Sequence, residues 1–538
     1  MLAEGRDHLD VHRRNYGPDG PQYLQLLWWE FPREHWDQVR EGNSMNFLTE
    51  PEHIIRPNSK MTSEQCALSG DFVDELIDLG VLEKSDPISK PVVTNCPLFV
   101  LPKPGQKDQW RVLADMKKGG QNGHIGRDPV YLPRVGTILP HLYNGGWSAV
   151  IDASKFFYQF QTVVIERKYL GLIHPTTGAI YRYRGLPMGS ANSPSIAGKL
   201  GASFLRKLCE RYPEFQGTPV SNTWESQFTY GAHDPRLGHG RVLIGDDGLP
   251  QVLAFAHVDD FFLHAPTREK LVTGLNHFMD LAVEIGMLCN PVKVVPPAQV
   301  VKYCGFLYDT TTIPTLRIPE SKRTRAIALL EYMGSRRDQS VNRLSLSIVG
   351  GVLQSLVEAT PSNIGQTFLR RLNDTLHGEV RAQDSRSKYY EKIVLDNRCY
   401  ADFQWWKAVL TNRICRPVRP HRTGTLIATF GDGSGTGTGG TDEMFVQGRD
   451  HDSPLEMWMD TWSPVVHHFS SNWKELKTLV LTLRREVNRA TPRCSDATMF
   501  YFTDNEVTYH VVTSGSSTSP GLHSLIHEIK MLELQLNC

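Results

Sequence analysis

Residues 253–265, LAFAHVDDFFLHA, are two apolar runs that flank a pair of aspartates, Asp259 and Asp260. Apolar flanks around a short polar centre predict a β-hairpin whose turn carries both carboxylates. Adjacent carboxylates repel one another, and burial raises their pKa unless a cation lies between them. Taken singly the pair is an ordinary turn, and Asp246-Asp247-Gly248 in VLIGDDGLPQ is the chain's own example of that bland reading. A second segment shifts the balance. SAVIDASKFFYQF at 148–160 is a short apolar run that ends at Asp152 and is followed by aromatic residues. A strand-end carboxylate from one segment and hairpin carboxylates from another can together hold two Mg²⁺ ions, the arrangement that two-metal phosphoryl transfer needs. Magnesium takes hard oxygen ligands and keeps several waters, so two or three carboxylates are enough.

Further segments stand around these two in a fixed order. CPLFVLPKPGQKDQWRVLADMKK at 96–118 reads as two extended runs around a turn, GLPMGSANSPS lies at 185–195, and YCGFLYD lies at 303–309. With VIDASKFF and HVDDFFLHA, this series resembles reverse transcriptases of retroelements over about residues 88–320. The resemblance implies a mixed α+β, right-hand polymerase with fingers, palm and thumb. It implies that Asp152 and Asp259 bind the metals, Mg²⁺ or Mn²⁺ in its place, with Asp260 completing the acidic cluster. It gives Lys103 and Arg111 to the incoming triphosphate, where cationic donors stabilise charge on phosphoryl oxygens. Phe157 matches the steric gate beside the nucleotide sugar, and Gly189 would let backbone approach nucleotide or template. Met188 stands where such enzymes usually carry glutamine, and His257 where they usually carry tyrosine; neither change removes a metal ligand. For Lys103 and Arg111 the bland alternative is a solvated hairpin, and for Phe157 it is core packing.

After this block, RIPESKRTRAIALLEYMGSRRDQSVNR at 317–343 holds seven Lys/Arg against three Asp/Glu. Charge alone leaves a solvated amphipathic helix and a nucleic-acid-binding helix equally matched. The position directly after YCGFLYD, where the resemblance puts the thumb, favours nucleic-acid contact by Lys322, Arg323, Arg325, Arg336 and Arg337. NRICRPVRPHR at 412–422 is a second basic stretch.

A second α/β pattern begins near residue 424. FGDGSGTGTGG at 430–440 satisfies GxGxxG through Gly435, Gly437 and Gly440, but the polar TDEMFVQGRD that follows does not open a helix, as a dinucleotide site requires. The better reading takes Asp432 at a strand end, Glu475 in the helical SSNWKELKTLVLTL, and Asp504 closing the strand ATMFYFTDN. Each alone reads as a cap or a surface charge; together they can converge on two metals for phosphodiester hydrolysis. As a set they resemble ribonuclease H. Such domains carry a further acidic residue, so the expectation is a C-terminally truncated domain with weak or no cleavage. TDNEVTYHVVTSGSSTSPGLHSLIHEIKMLELQL and DPRLGHGRV look most like retrotransposons of the tyrosine-recombinase (DIRS/Ngaro) kind.

The composition frames these readings. Forty per cent hydrophobic and 22% charged residues, with 11 Trp, 18 Tyr and 22 Phe, exclude disorder as the dominant state. No run reaches about 18 apolar residues and the N-terminus lacks an apolar signal core, which predicts an intracellular protein, cytoplasmic or nuclear, with no membrane partner. The nine cysteines form no CxxC pair. Net charge is zero, so nucleic acid must be met by local patches. The expected organisation is an extension at 1–60, fingers and palm at 61–320, thumb and connection helices at 321–410, and a ribonuclease H-like domain at 424–538. The leading expectation is an RNA-directed DNA polymerase acting on RNA template, DNA primer or RNA–DNA hybrid, and dNTP. A catalytically inactive remnant that binds RNA–DNA hybrid is the alternative.

Overall fold

The computed structural model describes residues 33–102, 110–128, 138–139, 142–215, 252–289, 293–377, 389–413, 415–417, 426–445, 456–490 and 498–536. The chain divides into two compact units, residues 1–304 with 310–312, and residues 305–309 with 313–538. Both are mixed α/β, built on antiparallel sheets with packed helices.

The first unit opens with α1 (Trp36–Arg40) and α2 (Ser63–Asp78). A capping box starts α2: the Thr62 side chain accepts from the Gln65 N–H while the Gln65 side chain accepts from the Thr62 N–H. Periodicity predicts a helix over 63–83, yet α2 ends at Asp78. Gly80 takes a left-handed φ of 69°, and the chain leaves as β1 (Leu82–Lys84). Strands β2 (Leu98–Pro102) and β3 (Trp110–Ala114) pair antiparallel. Then come β4 (Trp147–Asp152), β5 (Gly171–Ile173), β6 (Ile180–Tyr183), α3 (Ser193–Arg211), β7 (Leu253–His257), β8 (Asp260–Ala265), α4 (Arg268–Ile285), β9 (Val295–Ala298) and β10 (Val300–Tyr303). The central sheet has the antiparallel order β7-β8-β4-β9. Helices α3 and α4 pack on it through edge-on rings of Phe204, Phe261 and Phe278, with centroids 5.0–5.8 Å apart. Each buried ring is worth ~1.5–3 kcal/mol over exposure, so this packing fixes where the strand ends lie.

The second unit begins with β11 (Phe306–Asp309) and β12 (Thr315–Arg317), followed by α5 (Glu320–Ser335), β13 (Ser340–Asn342), α6 (Arg343–Gln354), α7 (Arg370–His377), β14 (Lys392–Val394), α8 (Asn397–Thr411) and β15 (Arg416–Pro417). The helices bury Leu330, Leu346, Leu372 and Trp406 in one core. Beyond them β16 (Leu426–Gly433), β17 (Gly437–Phe445), β18 (Glu456–Thr461) and β19 (Thr498–Phe502) form a sheet of order β18-β17-β16-β19, in which β16 and β19 run parallel. One face is covered by α9 (Ser471–Val487) and α11 (Pro520–Leu536), with α10 (Glu506–Ser514) between them in the chain. The segments expected as separate domains at 321–410 and 424–538 dock on each other. Phe368 stacks on Trp405 at 3.8 Å and meets His527 edge-on at 4.6 Å, and the Thr367 hydroxyl donates to the Gly515 carbonyl at 2.8 Å.

Candidate functional site

Three strand ends meet at Asp152. In the antiparallel pairing of β4 with β8, Asp152 lies directly opposite Asp260, which opens β8. The β7–β8 hairpin closes with His257 opposite Asp260, leaving Val258 and Asp259 as its two-residue turn. Val258 takes a φ of 58°, a left-handed conformation that a β-branched side chain resists. The Ala153 N–H donates to the Asp259 carbonyl at 2.8 Å and the Tyr303 hydroxyl to the Asp260 carbonyl at 3.2 Å, so both aspartates are held through their backbones. On the other side of β4, Val150 pairs with Val295 of β9. Asp152 lies two residues after Val150 and Lys293 two residues before Val295, and the Lys293 ammonium donates to both Asp152 oxygens at 2.9 and 3.2 Å.

The electrostatics follow from this crowding. Burial, then the charges of Asp259 and Asp152, push the Asp260 carboxyl up to about 6, against the opposing pull of Lys293. Asp259 is likewise raised, first by burial and then by Asp152. Carboxylates held close under partial burial are a donor set that a hard, partly hydrated cation relieves. Among the described residues no three His, Cys, Asp or Glu side chains form a ready cage. Magnesium needs only one or two carboxylates, because it keeps waters and takes substrate phosphates.

Phe157, Met188, Gly189 and Arg111 lie in the same unit as these aspartates. Phe157, in the turn Phe156–Gln159, is half-buried against the core, as is Met188. Gly189 has a φ of 111°, and a Cβ there would lie 2.3 Å from the Ala114 carbonyl of β3. The Asn122 amide donates to the Gly189 carbonyl at 2.9 Å. The close approach that needs glycine is therefore made to the end of β3. Arg111 is exposed on β3, and Lys103 lies outside the described residues, as does the Asp246-Asp247-Gly248 turn.

On α5, Arg325 is exposed, Lys322 lies over the Phe306 ring at 5.2 Å, and Arg323 pairs with Glu320 and donates to the Leu410 carbonyl at 3.2 Å. Arg336 lies over the Tyr332 ring and donates to Gln339, and Arg337 donates to Asn397. Part of the predicted basic patch thus also serves packing within the unit.

The C-terminal acidic set is brought together as well. Phe430 of β16 pairs with Phe502 of the parallel β19, so Asp432 and Asp504 each lie two residues beyond paired positions. Glu475 reaches them from α9. One of its oxygens accepts from the Gly433 N–H at 3.2 Å, while Oε2 is buried with no partner. A Cβ on Gly433 would lie 2.7 Å from the Lys474 carbonyl carbon, so only glycine lets β16 come this close to α9. Burial, then Asp432 within hydrogen-bonding reach and Asp504 nearby, push Glu475 up to about 7. Two facing carboxylates can share only a proton or a cation, and the orphaned Oε2 fits either. Gly437 and Gly440 lie in β17 rather than at a helix start, so the GxGxxG match lacks the helix N-terminus that would hold a pyrophosphate.

Lys293 was missed in the sequence. Its signal was the β9 register, since a strand pairing beside β4 carries the residue two before Val295 to the level of Asp152.

No family model matches the chain. It is 28% identical over 160 residues to the Gag-Pro-Pol polyprotein of sheep pulmonary adenomatosis virus, covering 29% of this chain and 9% of that protein. It is 24% identical over 191 residues to the Gag-Pro-Pol polyprotein of simian retrovirus SRV-2, covering 34% of this chain and 9% of that one. The alignments thus span under a tenth of these curated relatives. Among solved structures, the foamy viral protease-reverse transcriptase in complex with an RNA/DNA hybrid matches with a TM-score of 0.52 and 13% identity, covering 99% of this chain and 62% of that one. The same protein in complex with dsDNA matches with a TM-score of 0.51 and 13% identity, covering 95% and 92%. The fold is that of retroviral reverse transcriptases.

Proposed function

We propose that this chain is the RNA-directed DNA polymerase of a retroelement, joined to a ribonuclease H-like unit. The observation that carries the reading is the meeting of Asp152, Asp259 and Asp260 at one end of the palm sheet. A primer 3′-hydroxyl attacks the α-phosphorus of a dNTP in line, and pyrophosphate leaves. Asp152 and Asp259 would hold Mg²⁺, which when bound supplies the positive charge that steadies phosphoryl oxygens. Asp260, at the same strand end, adds negative charge that favours cation binding. Arg111, exposed on its hairpin, and Lys103 are offered to the triphosphate, and Phe157 to the sugar. Arg325, Arg336 and Arg337 follow the template–primer backbone, which makes affinity fall with salt.

Asp432, Glu475 and Asp504 are proposed as a second, hydrolytic carboxylate set that acts on the hybrid. The solved structures of similar fold were obtained with dsDNA and with RNA/DNA hybrid, which supports nucleic-acid partners. The narrower proposal, a retrotransposon of the tyrosine-recombinase kind, rests on the sequence resemblance at 234–242 and 503–536. The test is extension of a DNA primer on an RNA template with Mg²⁺ and dNTP, using the wild type and Asp259→Asn. Extension by the wild type alone is expected. Hybrid binding without extension by either protein would favour the inactive remnant.

A further inference from the structure

Lys293 is a basic side chain bonded to a palm carboxylate, and the polymerase chemistry derived above makes no use of it. Its ammonium spans both oxygens of Asp152, with Nζ at 2.9 and 3.2 Å, and its side chain is 60% exposed against 21% for Asp152. Lys293 lies two residues before the start of β9, whose Val295 pairs with Val150 of β4, so the pairing of these strands brings its stem to the end of β4 where Asp152 lies. The ammonium therefore competes for the oxygens a divalent cation would take. It sits on a flexible four-carbon stem with its far end open to solvent, and an exposed ion pair of this kind is easily exchanged.

We propose that Lys293 is a positioning residue that links the binding of divalent cation and nucleoside triphosphate at the palm site. A cation entering alone must displace the ammonium from Asp152 and then feels its positive charge close by. A triphosphate entering with the cation gives the displaced ammonium a new anionic partner within reach of the same stem. Metal and nucleotide then bind more tightly together than separately, and by linkage each raises the affinity of the other by the same factor. The proposal rests on the polymerase reading of the carboxylates.

The test uses the full chain without primer. Mn²⁺ binding is followed by the loss of the free-ion electron paramagnetic resonance signal, and dTTP binding is measured by equilibrium dialysis with and without Mn²⁺. Lys293→Gln is expected to bind Mn²⁺ alone roughly three- to tenfold more tightly than the wild type, since an opposing charge has been removed. In the same variant, the factor by which Mn²⁺ improves dTTP affinity is expected to shrink toward one. Lys293→Arg, which keeps the charge, is expected to behave as the wild type in both measurements. Unchanged or weaker Mn²⁺ binding by Lys293→Gln would overturn the linkage. Equal Mn²⁺ binding by the wild type and Asp152→Asn would instead overturn the metal assignment beneath it.

Discussion

Glu475 and Gly433 show how much one residue's setting decides. Glu475 is buried on α9 with one oxygen unpartnered, and its carboxyl is raised to about 7 by burial first and then by Asp432. A carboxyl raised in the folded state binds protons more tightly there than in the unfolded chain. Its favourable contribution is complete below the unfolded value of 4.5 and is lost as pH rises through about 7. Glu475→Gln should therefore raise Tm at pH 8, with the gain vanishing near pH 4.5; an equal gain at both pH values would show that titration is not the cause. Gly433→Ala forces a methyl group into the α9 backbone and should cost about 1–3 kcal/mol in a denaturant titration. The carboxylates could be picked out from sequence because strand-end and helix positions follow from apolar patterning. The need for glycine at 433 could not, because it depends on which backbone lies opposite, and at 189 the expected close approach is made to the Ala114 carbonyl of β3.

The β7–β8 hairpin is the element that sets Asp259 and Asp260 beside Asp152, and it carries strain. Val258 sits at φ 58° in the turn, which costs a β-branched residue of order 1–3 kcal/mol. Val258→Asn, a residue that tolerates this conformation, should stabilise the protein by about 1 kcal/mol. A lower Tm for that variant would mean that the valine side chain contributes more by packing than its backbone loses. Two apolar runs around the polar Asp259–Asp260 centre made this hairpin legible. Lys293 was not legible, because one lysine before VVPPA has no meaning until β9 is known to pair beside β4. The end of α2 was misjudged for a related reason. Val81 continues the helical period but is buried after a left-handed Gly80, as part of the approach to β1.

At the scale of the molecule, the sequence marks a boundary between residues 410 and 424 that packing crosses. Phe368 stacks on Trp405 and meets His527 edge-on, and His523 beside them is buried and lowered to about 4, by burial first and then by Arg371, His527 and Arg370, against Asp374. A histidine lowered on folding binds fewer protons in the native state, so stability falls as pH drops from 6.5 toward 4. Protection factors of the α11 amides, which correct for the intrinsic slowing of exchange toward acid, should fall between pH 7 and pH 5, and His523→Gln should remove that fall; unchanged protection in the wild type would contradict this account of the docking. Such contacts join residues more than a hundred positions apart and leave no local pattern to read. The proposed nucleotidyl transfer at Asp152, Asp259 and Asp260 is tested most directly by single-turnover addition of one dTTP to a primed RNA template. Asp152→Asn should lower that rate by about a thousandfold or more while hybrid affinity stays within about threefold of the wild type. A rate within about tenfold of the wild type would contradict the account.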